Sequence, residues 1–518
     1  MDSWSNGYVS DIEYLPGFYV EQTPGHLLLS CLLNGFEPPF SGDRFTYCEL
    51  GCGQGNTANI IAAANPNATV IAVDFNPAHI ARARQAAEAA GLTNIQFFEE
   101  GFADLIHRTG LPEFDIVSLH GVWSWIGEDD RKDVTTFLKK AVKPGGLVAV
   151  TYNAMPGWAT TLPIQHLLMD FARFSHETSD KRVVDGLDFI DRLRAAGSYA
   201  ANDEALLKQI RGGDKVAPDR AVYLAHEYLN QNWRPLYHSE TASMLAEAKL
   251  GFIGSATLLE TFPDLMLRPD QREILNSVPA GSFRETVKDY LTNRRFRRDV
   301  FVRGPRKLTD SERDAWLENV GLAATITAEA AKLVLDVPVG TAELPKDHYH
   351  PVFEALAARP HTLRELADLP PLRNLAGAPS MVELAGILAG TSQAILLPWG
   401  LSNRGLTEQV LRYNVRATAE VFEQRAAHTA IALPLSGGGM SLPTMDALVY
   451  FGITGGRATS DEELVELLYR KLSVGKVPLM KDGAVVSEPE AVRAMIVESV
   501  NWGLQHRVPL WKQLGAIF

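Results

Sequence analysis

Between residues 45 and 152 short apolar runs alternate with stretches whose apolar positions recur every three to four residues. "FTYCEL", "TVIAVDF", "IQFFE", "FDIVSLH" and "GLVAVTYN" read as strands. "NTANIIAAAN", "PAHIARARQAAEAAG" and "DVTTFLKKAV", lying between them, read as helices. Near-continuously apolar strands separated by amphipathic helices predict a parallel sheet covered on both faces, a doubly wound (Rossmann-like) α/β domain.

The pattern changes after residue 156. "LPIQHLLMDFARFS", "GLDFIDRLRAAG" and "DEALLKQI" carry helical spacing, and a mixed segment over 223–258 then returns to the first domain through a helix and a terminal strand. This divides the chain into an N-terminal helical cap or dimerisation segment (1–42), the α/β domain (43–160), a helical insertion (161–220), a further segment (221–305) and a mainly helical region (306–518). "PHTLRELADLP", with Thr362 and Glu365 as a capping box, and the helix and "AILLPWG" after it are similar to a winged helix. We read that region as a substrate-docking or dimerisation module, which leaves a homodimer open.

At 518 residues the chain is too long for one core. A formal net charge of -13 argues against nucleic acid or an anionic membrane as partner. Three cysteines in the first tenth of the chain fit a reducing compartment, and the N-terminus lacks the basic and apolar regions of a signal peptide, so a cytoplasmic location is expected. The most apolar window, "MVELAGILAGTSQAILLPWG", is interrupted by polar residues and reads as helix, turn and strand. "HYH" at 348–350 has no partner cluster and reads as a surface loop, so no metal is expected. "RRFRR" at 294–298 reads as a solvated helix face paired with nearby acids.

The chemistry concentrates in "YCELGCGQGNTANI". Gly51, Gly53 and Gly55 follow the first strand and open a helix, where backbone amides meet a ligand. A dinucleotide loop needs G-x-G-x-x-G, but the position five after Gly51 is Asn56. Glu49 stands two residues ahead of the glycines, where a pyrophosphate would be repelled and an ammonium or sulfonium held. Asp74 ends the next strand, placed to accept hydrogen bonds from both ribose hydroxyls. Adenosine joined to a cationic amino acid, S-adenosylmethionine, satisfies both acids.

"ELGCGQG", "VDFNP", "FDIV" and "LKKAVKPGGLVAVTYN" together resemble, in order, the motif series of class I S-adenosylmethionine-dependent methyltransferases. The resemblance implies that Gly51, Cys52 and Gly53 contact the methionyl part, that Glu49 orients the loop and the ammonium, that Asp74 holds the ribose and that Phe75 lies on the adenine. Phe102 stands where an acid often reaches the adenine amino group; the backbone of Phe102 and Ala103, or Asp104, would substitute.

The acceptor site of this fold lies beyond the fourth strand, here "SLHGVWSWIGEDD". Trp123 and Trp125 would disfavour an ammonium and accommodate a methylammonium, while His120 would touch the cofactor and take a proton or orient the amine. The alternative is that Trp125 is core and His120 bonds a loop carbonyl. "HGVWSWI", "TYNAMPGW", "HEYLNQNWRPLYHSE" and "GFIGSA" are similar to a bacterial group that carries a methyltransferase regulatory domain, which includes protein-lysine methyltransferases acting on rickettsial outer-membrane proteins. That resemblance implies a substrate cleft lined by Tyr152, Asn153, Trp158, His226, Glu227, Trp233 and Tyr237, with Tyr152 and Asn153 beside the reaction, and a protein as partner. Tyr14, Phe18 and Tyr19 read as an N-terminal flap over the cofactor. The expected activity is methylation of a protein lysine; a small natural-product acceptor, or a non-catalytic cofactor-sensing role, are the alternatives.

Overall fold

The computed structural model describes residues 7–14, 17–198, 203–401, 405–423, 429–456, 458–475, 479–481 and 484–518. The alternation read from the sequence forms β1 (Thr46–Leu50), β2 (Thr69–Asp74), β3 (Ile95–Glu99), β4 (Phe114–Leu119) and β5 (Val142–Asn153), joined by helices Asn56–Ala64, Pro77–Ala90 and Glu128–Ala141. Two later strands, β6 (Leu250–Ser255) and β7 (Phe296–Arg303), complete a seven-stranded sheet in the order 3-2-1-4-5-7-6, with β7 antiparallel to both of its neighbours. The boundary drawn at 160 therefore cuts through one sheet, whose last two strands lie in the segment 221–305. Side chains alternate across it: Cys48, Leu50, Val117 and Leu119 pack into one core, Tyr47, Val70, Ile116 and Leu147 into the other.

The arginine-rich run is not a helix face. From Phe296 on it is strand β7, and its period of two sends Arg297 and Asp299 to one side of the sheet and Arg298 to the other. Arg297 is only 2% exposed and donates to Asp299 (2.8 Å), Asp289 (2.6 Å) and Glu285 (2.8 Å). Asp299 also accepts from the Tyr152 hydroxyl (2.6 Å) and lies 2.9 Å from His238 Nδ1. Burial alone would raise the Asp299 carboxyl, yet Arg297 beside it holds it well below the usual carboxylate range. A charge buried this deeply is tolerable only when fully paired, so the network pins the register of β5 against β7.

The insertion is a set of helices, Leu162–Ala172, Ser179–Ala195, Glu204–Arg211 and Pro218–Tyr228, packed around Val183, Leu187, Leu224 and Trp233. In the C-terminal region β8 (Gly321–Ala324) lies between β11 (His361–Thr362) and β12 (Ala394–Leu397), beside the hairpin β9 (Val334–Val337) and β10 (Gly340–Glu343). Helices Lys346–Ala358 and Met381–Gly390 cover this small sheet, and the window beginning at Met381 is indeed a helix, a turn and strand β12. Thr362 and Glu365 form their capping box, with backbone-to-side-chain bonds of 2.8 and 3.1 Å. A second hairpin, β13 (Thr429–Leu433) and β14 (Gly438–Leu442), packs on the helix Asn56–Ala64. His348–His350 lies on the helix Lys346–Ala358 rather than in a loop, and among the described residues no cluster of potential ligands could hold a metal. Among them, too, no helix is long and apolar enough to cross a membrane.

Candidate active site

The C-terminal ends of β1, β2, β4 and β5 open into a cavity of about 540 Å³, roofed by the N-terminal segment and by the helix Pro218–Tyr228. The glycine loop turns back across β2: the amides of Gly51 and Cys52 donate to Val73 O at 2.8 and 3.0 Å. Gly51 has φ 72°, and a Cβ there would stand 2.3 Å from Val122; at Gly53, with φ 53°, the space is open for a ligand. Asp74 joins the two loops, accepting from Gly53 N at 2.8 Å and from Asn76 N at 2.9 Å, with His79 Nδ1 at 3.3 Å.

Glu49 is 4% exposed, and its Oε2 has no partner among the described residues. Burial pushes its carboxyl up to about 8. An ammonium placed against it would restore the charged form, so the orphaned oxygen fits the methionyl end of S-adenosylmethionine. Phe75, Phe102 and Cys52 line the same cavity, with Tyr8 edge-on to Phe75 at 5.7 Å between ring centres. Ala103 and Asp104 are exposed and outside it, because the short helix Phe102–Leu105 turns them to solvent. Of the three substitutes named for the missing adenine acid, only Phe102 lines the cavity, beside Phe75.

In the wall of this cavity His120 stacks on Tyr19, ring centres 3.6 Å apart. Burial pushes the imidazole down to about 4, so His120 is neutral at ordinary pH. Asn153 donates to the carboxylate of Glu227 at 3.1 Å, and its own amide donates to Ser124 Oγ at 2.8 Å. Glu227 is 5% exposed, and burial raises it to about 7 against the lowering effect of Asn153. Trp125, Tyr14, Tyr19 and Tyr223 line the same cavity, as does His226, which burial pushes down to about 4 and whose ring lies 5.6 Å from Tyr8.

Four residues expected at the acceptor site, Trp123, Tyr152, Trp158 and Tyr237, point elsewhere, and Trp233 reaches it only through Glu227. Trp123 is fully buried beneath the sheet, its indole N–H on Thr241 at 3.3 Å. Tyr152, one residue before Asn153, faces the opposite side of β5 and serves Asp299. Trp158 and Trp233 pack edge to face, 5.0 Å apart, in the core of the insertion, where Trp158 donates to Arg295 O at 2.8 Å and Trp233 lies against the Glu227 carboxylate from outside the cavity lining. Tyr237 stacks on Tyr290 outside the cavity. Replacing Tyr152 by phenylalanine should therefore leave kcat within about two-fold of wild type while lowering stability by about 1.5–3 kcal/mol in urea unfolding, the value of one buried hydrogen bond to a charge. Conversely, Gln22, Tyr223, Phe296 and Arg298 line the cavity unforeseen. Period-two alternation in "FRRDVFVR" is the signal that would have placed Phe296 and Arg298 there.

This sheet order, with its reversed strand, the glycine loop and the paired acids Glu49 and Asp74 define a class I S-adenosylmethionine-dependent methyltransferase, and S-adenosylmethionine is its cofactor. The family described as "Methyltransferase domain" matches residues 48–148, and that described as "Predicted methyltransferase regulatory domain" matches 220–303. The uncharacterized protein sll1526 of Synechocystis sp. is 38% identical over 365 residues, covering 70% of this chain and 71% of that protein. The chain belongs to the family of that protein, methyltransferases that carry the regulatory domain. The uncharacterized protein RP028 of Rickettsia prowazekii is 26% identical over 228 residues, 43% of this chain and 86% of its own. In fold, the chain is similar to PKMT2 from Rickettsia typhi, with a TM-score of 0.68 and 17% identity over 96% of this chain and 99% of that one; a second structure of PKMT2 is in complex with AdoHcy.

Proposed function

We propose that the chain methylates the side-chain amine of a lysine in a protein, with Glu227 as proton acceptor. The observation that carries this reading is a buried carboxylate in the wall of the cavity, oriented by Asn153 and set among Tyr14, Tyr19, Tyr223 and Trp125. An ammonium is drawn in by the carboxylate and the ring faces, but only the neutral amine is a nucleophile. A carboxyl held near 7 is matched to take that proton at ordinary pH. Neutral His120, fixed by its stack on Tyr19, orients the amine instead of removing its proton. The cofactor, when bound, supplies a methyl group on a sulfonium; the residues of the chain hold the amine in line with it and exclude water. Glu49, Gly51, Cys52, Gly53, Asp74, Phe75 and Phe102 hold the cofactor in this reading, while Asn153, His120 and Trp125 hold the acceptor.

Two features favour a protein over a small acceptor. The cavity adjoins two further cavities of about 550 and 590 Å³ at the junction with the C-terminal region, with Tyr19 in the wall of all three. The likeness in fold to PKMT2 runs over nearly the whole chain, including that region. The test is transfer of labelled methyl from S-adenosylmethionine to proteins of the source cell, followed by acid hydrolysis. Labelled methyl-lysine is the expected product. Label only in small molecules would support a natural-product acceptor, and tight cofactor binding with no transfer would favour a sensing role.

A further inference from the structure

The cavity of about 550 Å³ beside the active site is bordered on one side by the segment from Phe18 to Leu29 and on the other by strands β12 and β14. It is one wall away from the acceptor end. Tyr19 is shared between the two, and Glu21 on this cavity pairs with Arg298 on the other at 3.1 Å. Among the described residues β14 is hydrogen-bonded as a strand only to β13, and β12 only to β8. Both present a free edge to the same space, where alternate backbone amides and carbonyls are complementary to an extended chain.

The charges in this cavity are already matched. Arg507 pairs with Asp446 at 2.8 Å, and Glu21 is taken by Arg298. His26, bonded to Ala256 O at 2.6 Å, is pushed down by burial and stays neutral. What remains is the hydroxyls of Thr23, Thr325, Ser392, Ser436 and Ser441, the apolar side chains of Leu29, Leu396, Met440 and Trp511, and strand-edge backbone. A charged group entering here would lose water without gaining an opposite charge, whereas an apolar side chain on an extended backbone meets both the apolar and the polar surface.

Resting on the reading of a protein lysine as acceptor, we propose that this cavity seats the polypeptide flanking that lysine, as an extended strand on the free edge of β14 with an uncharged, apolar residue pointing inward. Ser441 is exposed at that edge and touches neither cofactor nor acceptor in the assignment above. The chain thus selects its lysines by local sequence through β12 and β14, not by the amine alone.

The experiment compares three acceptors with labelled S-adenosylmethionine and the full chain: Nα-acetyl-lysine amide, a library of blocked nonapeptides with a central lysine and leucine at neighbouring positions, and the same library with aspartate there. The expected result is a kcat/KM for the leucine library at least about 10-fold above the other two, as a few added strand hydrogen bonds and one buried side chain would give. Ser441→Trp should remove that advantage while cofactor affinity, read by calorimetry, stays within about two-fold of wild type. Methylating alternate backbone nitrogens of the leucine peptides should do the same with the protein unaltered. Equal use of the leucine and aspartate libraries, or a leucine advantage untouched by both Ser441→Trp and backbone methylation, overturns the groove while leaving lysine as acceptor. Transfer by wild type to none of the three acceptors overturns the lysine reading itself, and the groove with it.

Discussion

Asp74→Ala is expected to weaken S-adenosylmethionine binding by about 100-fold, roughly 3 kcal/mol, since hydrogen bonds to a charged group each contribute about 1.5–3 kcal/mol. Two losses combine. The carboxylate that would accept the ribose hydroxyls disappears, and Gly53 N, which donates to it at 2.8 Å, loses the partner that holds the glycine loop against β2. Asp74→Asn separates them: it keeps an acceptor for Gly53 but loses the charge, and should fall between the variant and wild type. Calorimetric titration of the folded proteins reads the effect. A change of less than about three-fold in Asp74→Ala would show that the ribose is held elsewhere.

Glu227→Gln should lower kcat by about 100-fold with cofactor affinity unchanged, the usual scale for losing a general base. The pH profile distinguishes this from a structural effect. In wild type the rate should climb as pH rises through about 7, where Glu227 loses its proton, and in Glu227→Gln that limb should vanish. Stability should move the other way. Because burial raises the folded pKa above the ordinary 4.5, the folded chain holds a proton that the unfolded chain releases between about 4.5 and 7. Wild type therefore loses stability as pH rises across that window, and the glutamine variant, which cannot ionise, should gain on it from pH 5 to pH 8 in urea unfolding. A rate limb near 7 that persists in the variant would remove Glu227 from the role of base.

The cofactor half of the site was legible in the sequence because its residues are close together along the chain. Glu49, Gly51, Cys52 and Gly53 sit in a single strand-to-helix turn, and Asp74 ends the adjacent strand, so motif spacing alone brings them to one edge of the sheet. The acceptor half was only partly legible. Trp123 and Trp125 are two residues apart, yet one is sealed beneath the sheet and the other lines the cavity. Tyr152 and Asn153 are neighbours that a pleated strand sends to opposite faces. An aromatic residue beside a motif carries no mark of which face it will take until the strand has partners.

The local pattern of apolar and polar residues by itself determined the doubly wound domain, the glycine loop and the nature of the cofactor, since each depends on periodicity or spacing within about thirty residues. Only the tertiary structure decided that the strand expected to return to this sheet, β6, joins it through β7, and that β7, the arginine-rich run, is a buried strand. It also decided that Glu227 from a distant helix meets Asn153 at 3.1 Å. The physical reason is the cost of burying charge. Arg297 and Glu227 look like surface residues one at a time, and become tolerable inside only when Asp299 on the same strand, Asp289 from the preceding helix and Asn153 from β5 satisfy them.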